Sequence, residues 1–216
     1  MTITASEVTL AATDGFRISV RKAVLSNPVR PVTAIIPGRA LSELARIAAD
    51  GEDTLTMVVP PGRGQVIFHL KEAELVSQLI DGNFPPYQAI VPKAFKTHTI
   101  LSTAQLLKAC KQAEIFAREG SNVARLDIKS AGDLEPGAVE ISAQSEETGS
   151  NETIVAATIE GVGLLIAFNV KYMREVLEVI KSPNVALETS AANAPGVVRP
   201  VGDDNFLHVI MPMHLG

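Results

Sequence analysis

The sequence predicts an α+β fold made of two copies of one small domain. Short segments with alternating or continuous apolar residues predict strands, and turn signals such as Asp14-Gly15 and Asp81-Gly82 separate them. Three longer segments carry apolar residues at helical spacing. The order strand, helix, strand, turn, strand occurs twice, with Pro37 and Asn169 at equivalent points 132 residues apart. A repeat at this spacing predicts two related domains.

The predicted strands form two sets, one in each half of the chain. The first set is residues 7–12, 17–23, 33–36, 54–59, 65–70 and 74–80. The second set is residues 123–129, 138–144, 153–160, 164–168, 185–189 and 207–213. Val, Ile, Leu and Thr dominate these segments, which is typical of strands with at least one buried face.

The predicted helices are residues 38–50, 103–119 and 170–181. Each has an apolar stripe that follows the i, i+3, i+4, i+7 rule, and Cys110 lies on the stripe of the second helix. Ser102 or Thr103 is expected to cap the second helix, and Asn169 the third, because their side-chain oxygens can accept hydrogen bonds from the first-turn N–H groups.

The repeat places the boundary between the two domains near residues 92–96, giving domains of residues 1–93 and 94–216. The second copy opens with a strand at residues 98–101 and the helix that begins at Thr103. The first copy has no matching strand and helix, so its sheet would keep an unpaired edge. We therefore expect further sequence upstream of Met1.

Composition limits the possible function classes. The net charge of −5 argues against a protein that holds nucleic acid by bulk charge, because phosphate contacts need clustered Lys and Arg. Cys110 is the only cysteine, so no internal disulfide can form, which fits a cytoplasmic protein. The N-terminal segment lacks the pattern of a signal peptide, and no apolar run has the length of a membrane span.

No catalytic constellation is evident in the sequence. Neither a P-loop nor a dinucleotide-binding glycine motif is present. The four histidines lie far apart, without the spacing of metal ligands, so neither a metal nor another cofactor is predicted. A small α+β enzyme with an active site between its domains remains an alternative, because two domains create a cleft.

Four segments, residues 12–18, 79–87, 168–172 and 209–215, together resemble the bacterial sliding clamp, the beta subunit of DNA polymerase III. The resemblance implies repeated clamp-type domains, with helices on the DNA-facing side and antiparallel sheets outside. It assigns residues 1–93 to part of the middle domain and residues 94–216 to the C-terminal domain. Clamp subunits pair as homodimeric rings through their first domain, so this chain is not expected to form the usual ring. A non-functional clamp fragment is the second alternative.

The resemblance also implies two kinds of partner and no enzymatic activity. Double-stranded DNA would be encircled without sequence preference, and the replicative polymerase, clamp loader and repair proteins would dock short peptides into an apolar groove between two domains. The implied groove residues are Thr13, Gly15, Phe16, Arg17, Ile18, Pro85, Ile90, Asn169, Tyr172, Val209, Ile210, Met211, Pro212, Met213 and Leu215. Methionine suits such a groove because its flexible side chain adapts to varied apolar partners.

Basic residues lie opposite the apolar stripe of each predicted helix, where the resemblance places DNA. They are Arg39, Arg46, Lys108, Lys111, Arg118, Lys171, Arg174 and Lys181. A basic lining of this kind is compatible with the negative net charge, because acidic residues are concentrated elsewhere, as at Asp203-Asp204. Helical spacing alone would equally indicate ordinary solvated helix faces.

Overall fold

The computed structural model describes residues 1–48, 55–132, 136–147 and 149–214, and the chain forms two compact units. The first unit comprises Met1–Ala12 and Lys22–Pro86, and the second comprises Thr13–Arg21 and Tyr87–Gly216. The first nine residues of the second unit thus come from within the first half of the chain. Each unit has its own core.

The first unit contains one helix and seven strands, counted over its described residues. In chain order they are β1 (Thr2–Ile3), β2 (Glu7–Thr13), β3 (Arg17–Val24), β4 (Val32–Thr33), α1 (Gly38–Ala48), β5 (Thr56–Val58), β6 (Gln65–His69) and β7 (Glu74–Gln78). Strands β3, β2, β1 and β4 are neighbours in that order, and β5, β6 and β7 form a separate antiparallel sheet. Only residues 22–24 of β3 belong to this unit.

The second unit contains two helices and eight strands, together with part of β3, counted over its described residues. Its elements are β8 (Thr97–Ser102), α2 (Thr103–Ala117), β9 (Val123–Lys129), β10 (Ala138–Ser145), β11 (Gly149–Gly161), β12 (Leu164–Asn169), α3 (Val170–Val179), β13 (Asn184–Thr189), β14 (Gly196–Pro200) and β15 (Phe206–Ile210). The strands follow the order β12-β9-β10-β11-β8-β13-β14-β15, and residues 17–21 of β3 then pair with β15. Short 3₁₀ turns occupy Tyr87–Ala89 and Arg118–Gly120.

Each unit buries its apolar residues in a separate cluster. In the first unit, Val66 and Phe68 of β6 pack with Leu44 of α1. In the second unit, the apolar stripes of α2 and α3 pack on the sheet, with Leu106 and Leu177 almost completely buried. The alternation predicted along the strands is visible here, because every second side chain of β8, β9 and β10 is buried.

Several predicted elements are shorter in the structure. The last predicted strand, residues 207–213, ends as β15 at Ile210, because Pro212 has no N–H group with which to continue a ladder. The third helix ends at Val179 instead of residue 181, and the strand predicted at 33–36 is only Val32–Thr33. The predictions at residues 49, 50 and 54 lie outside the described residues.

Candidate functional site

Backbone pairing brings residues 13–18 next to the C-terminal tail within the second unit. Arg17 is opposite Ile210 in the β3–β15 ladder, and Ile18 is opposite Val209. Beyond the ladder, the Met211 N–H donates to the Phe16 carbonyl at 2.9 Å, and the Met213 N–H donates to the Ala167 carbonyl of β12 at 2.8 Å. Residues 211–213 are therefore hydrogen-bonded to the residue before β3 at one end and to β12 at the other.

A tight turn shapes residues 13–16. The Thr13 hydroxyl donates to the Arg17 carbonyl at 2.8 Å and accepts a hydrogen bond from the Gly15 N–H at 3.1 Å. Gly15 has a φ of +90°, which glycine adopts without the steric cost that other residues meet. Thr13 and Gly15 therefore set the geometry of the turn, and Phe16 follows with its ring exposed.

The N-terminus of α3 lies at the same place. The Asn169 side chain accepts a hydrogen bond from the Tyr172 N–H at 3.3 Å and thereby caps the helix, as the sequence predicted. The Tyr172 ring lies under the Arg17 guanidinium, with Cζ 4.1 Å from the ring centroid. This is the distance of a cation–π contact, so β3 and α3 meet through these two side chains.

Two carboxylates hold the Arg17 guanidinium. Its Nε is 3.0 Å from Asp14 Oδ2, and its Nη1 is 2.6 Å from Glu175 Oε2. Burial would lower the pKa of Arg17, but the hydrogen bonds and charges of Glu175 and Asp14 raise that pKa above its usual value. Burial likewise acts to raise the pKa of Asp14, and hydrogen bonds from Phe16 and Arg17 outweigh it and lower that pKa. Asp14 and Glu175 were not among the site residues predicted from the sequence.

Exposure divides the predicted groove residues into accessible and supporting ones. Phe16 is 61% exposed, Met211 39% and Ile90 42%. Arg17, Asn169, Tyr172, Pro212 and Met213 are half-buried. Ile18, Val209 and Ile210 are buried, so they support the surface from within and are not open to a ligand. Pro85 belongs to the first unit, and Leu215 lies outside the described residues.

His208 lies beneath this surface, in β15. Its Nδ1 is 2.8 Å from the Ser19 hydroxyl, and its Nε2 is buried without a hydrogen-bond partner among the residues that the structure describes. Burial, assisted by the positive charge of Arg17, lowers the pKa of His208 from 6.5 to about 4, and the charge of Asp14 opposes this shift. His208 is therefore neutral at pH 7.

The predicted DNA-facing cations differ in whether they form ion pairs with carboxylates. In the first unit, Arg46 of α1 pairs with Glu43, and Arg39 is exposed. In the second unit, Arg174 contacts Glu114 of α2 at 2.6 Å and Glu178 at 2.8 Å, while Lys111 contacts Glu178 at 3.1 Å.

These ion pairs connect α2 to α3, so Arg174 also stabilises the packing of the two helices. The other four predicted DNA-facing cations of the second unit, Lys108, Arg118, Lys171 and Lys181, are exposed, and none of them forms an ion pair within the described part of the chain.

Other candidate chemistry has little support in the part of the chain that is described. No group of three or more His, Cys, Asp or Glu residues there could hold a metal ion. The Cys110 thiol is buried, and burial together with the charge of Glu114 raises its pKa to about 12, which makes it a poor nucleophile. None of the helices formed by these residues is long and apolar enough to cross a membrane.

Family models match the chain over nearly its whole length. The model of the DNA polymerase III beta subunit, central domain, matches residues 1–86, and that of the C-terminal domain matches residues 88–214. The chain belongs to the bacterial sliding clamp family. Three helices and antiparallel sheets, counted over the described residues of this chain, match the clamp fold and agree with the α+β class that the sequence predicted.

Individual clamps show the same relationship. The beta sliding clamp of Bacillus subtilis is 36% identical over 211 residues, covering 96% of this chain and 54% of that protein. A crystal structure of the sliding clamp from Bacillus subtilis superimposes with a TM-score of 0.91 at 33% identity, covering 100% of this chain and 56% of that one. A sliding clamp from Pseudomonas aeruginosa bound to griselimycin gives 0.89 at 27% identity, covering 99% and 56%. The chain thus spans about half the length of the clamps that it matches.

Proposed function

We propose that this chain is part of a DNA sliding clamp subunit, a processivity factor that tethers the replicative polymerase to DNA and docks short partner peptides. The observation that carries the proposal is the convergence, in one unit, of the turn at residues 13–16, the N-terminus of α3 and the tail at residues 211–213. We name this surface the peptide groove. In this function the protein is non-catalytic and acts in the cytoplasm.

The chemistry of the peptide groove suits a short peptide with apolar side chains. Exposed Phe16 and Met211 supply apolar surface, and the flexible thioether of Met211 can adapt to different side chains. Arg17 and Asn169 are half-buried polar groups beside this surface and can bond a peptide amide. Apolar contact area with a few fixed polar groups is the usual composition of a ligand site.

The DNA-tethering part of the proposal concerns the exposed cations of α2 and α3. Lys108, Arg118, Lys171 and Lys181 can contact phosphates without losing an ion pair that the described structure contains. Arg174 and Lys111 would have to exchange a carboxylate for a phosphate. Weak, exchangeable contacts of this kind are compatible with sliding, because affinity would come from enclosure by the ring and not from local charge.

A binding titration tests the groove. Fluorescence anisotropy of a labelled Gln-Leu-Phe-type peptide is expected to show saturable binding to the folded chain. Met211→Ser is expected to weaken binding about tenfold, because it removes exposed apolar contact area. Ile154→Ser is the matched control, since Ile154 is an exposed apolar residue of β11 outside the groove. Equal loss in both variants, or no binding by the folded wild-type chain, would contradict the proposal.

A further inference from the structure

Glu175 of α3 touches the peptide groove without being one of its surface residues. We infer that Glu175 is a positioning residue: its carboxylate holds the Arg17 guanidinium over the Tyr172 ring, so that Arg17 is already oriented when a peptide binds. The inference rests on the proposed function of the groove. It adds a residue through which α3 sets the affinity of that groove.

The contacts around Arg17 fix both the position and the plane of its guanidinium. Glu175 Oε2 binds Nη1 at 2.6 Å, and Asp14 Oδ2 binds Nε at 3.0 Å. Two contacts on one rigid planar group define its orientation, and the Tyr172 ring supports one of its faces. A guanidinium carries five N–H groups, and those that do not point at the two carboxylates can serve a ligand.

The two carboxylates have different origins and therefore different roles. Asp14 lies in the same turn as Arg17, so this ion pair would move with the turn. Glu175 lies three residues after Tyr172 on α3, and both side chains face the same side of the helix. Glu175 is therefore the anchor that ties Arg17 to the helix carrying its aromatic support.

The burial of this contact makes it stronger than an ordinary surface ion pair. The side chains of Arg17 and Glu175 are 24% and 33% exposed, so water screens their attraction only partly. The second carboxylate oxygen, Oε1, lies 3.8 Å from Arg174 Nη2, and Arg174 is in turn held by Glu114 and Glu178. Glu175 is thus itself fixed, which a positioning residue requires.

Preorganisation is the physical benefit for peptide binding. An arginine side chain that is free in solution loses rotamer entropy when a ligand immobilises it. Arg17 has already lost that freedom in the free protein, so a peptide that accepts a hydrogen bond from it bears a smaller entropic cost. Removing the anchor should therefore weaken binding although Glu175 itself need not touch the peptide.

The test compares Glu175→Gln with Glu178→Gln in the full chain. Glu178 lies three residues after Glu175 on α3. It contacts Arg174 and Lys111, and no contact with Arg17 is seen among the described residues. The first readout is the affinity of the labelled peptide. The second is the ¹⁵N–¹H signal of Arg17 Nε without peptide, which the ring current of Tyr172 displaces as long as the guanidinium stays on the ring.

The expected result for Glu175→Gln is an affinity loss of about threefold to fivefold, the range of a partly exposed ion pair. The displaced Nε–H signal should also move toward that of a free arginine. Glu178→Gln should change both readouts much less, because Glu114 still holds Arg174 beside Glu175. Glu175→Asp keeps the charge but shortens the side chain, so it should give an intermediate affinity and an intermediate Nε–H position.

Unchanged affinity and an unchanged Nε–H signal in Glu175→Gln would overturn the inference, as would equal effects in Glu178→Gln. If the wild-type chain binds no peptide, the proposed peptide function is overturned instead, and the Nε–H signal alone then decides whether Glu175 holds Arg17. If Glu175→Gln does not fold, the Glu175→Asp variant decides by the same two readouts.

Discussion

At the scale of single residues, the buried His208 beneath the peptide groove has a pKa far from its usual value. His208 is 2% exposed in the middle of β15, with Ser19 on one ring nitrogen and no described partner on the other. Protonating it would bury a charge close to Arg17, which is costly. The residue therefore makes the stability of the second unit sensitive to mild acid.

The expected pH dependence follows from the lowered pKa of His208. The folded state takes up its proton near pH 4, whereas the unfolded state does so near pH 6.5. Between these values the unfolded state binds more protons, so the free energy of unfolding falls as pH falls, by about 3 kcal/mol at most. Urea unfolding at pH 7, 6 and 5 should show this decline.

His69 provides the control for that measurement. It lies in β6 of the first unit, where its side chain is 45% exposed beside Glu74. The variant His69→Gln should keep the decline in stability between pH 7 and pH 5. If the free energy of unfolding of the wild-type chain does not change between these pH values, His208 is not buried in its neutral form.

At the scale of elements, α3 serves both the core and the peptide groove. Its apolar stripe, with Met173, Val176 and Leu177, is buried against the sheet, and Tyr172 and Glu175 reach toward Arg17. Asn169 begins the helix at the residue where β12 ends. The position of the groove side chains therefore depends on where the helix starts, which the cap determines.

Two substitutions of Asn169 should separate the effect of its capping hydrogen bond from the effect of its side-chain shape on stability. Asn169→Ala is expected to lower the free energy of unfolding by about 1 kcal/mol, because the Tyr172 N–H loses its partner. Asn169→Asp should remain close to wild type, since the carboxylate accepts the same bond and favours the positive end of the helix dipole. Urea unfolding at pH 7 measures both variants.

The cap of α2 offers a comparison within the same unit. Ser102 accepts its hydrogen bond from the Gln105 N–H at 3.5 Å, which is longer than the bond of Asn169. Ser102→Ala should therefore cost less stability than Asn169→Ala, because a hydrogen bond of that length contributes little. The reverse order would mean that the cap of α3 is not what holds its first turn.

At the scale of the whole molecule, the division of the chain into units does not follow the order of the sequence. Residues 13–21 group with the second unit, where residues 17–21 of β3 pair with β15. This strand carries the turn and Arg17 of the peptide groove. The second unit is therefore incomplete when the chain is cut between Pro86 and Tyr87, although one family model ends at residue 86 and the other begins at residue 88.

A dissected chain tests this division. The fragment of residues 87–216 leaves the outer edge of β15 unpaired, so its Tm should lie more than about 5 °C below that of the second unit in the intact chain. Adding a synthetic peptide of residues 13–21 should raise the Tm with increasing peptide concentration, because it binds only the folded fragment. A peptide of the same composition in scrambled order is the control, and equal effects of both peptides would refute a specific strand pairing.

The sequence by itself determined the repeated element order, the α+β class and the segments that identify the family. These properties are local or periodic: apolar spacing reports which face of a strand or helix is buried, and turn residues report where elements end. The same reasoning gave Asn169 as the cap of α3 and left Ser102 or Thr103 for α2, where the structure has Ser102. It extended the last strand too far, since the pattern continues past Ile210 and only the missing N–H of Pro212 interrupts the ladder.

Only the tertiary structure decided which distant groups become partners. Arg17 was predicted only as a groove residue, and the structure adds that Glu175, far along the chain, holds one of its nitrogens. Arg174 was predicted to face DNA, and the structure adds that it joins α3 to Glu114 of α2. The physical reason is that periodicity tells which face a side chain occupies but carries no information on the element packed against that face. Ion pairing and the pKa shift of His208 depend on that neighbour.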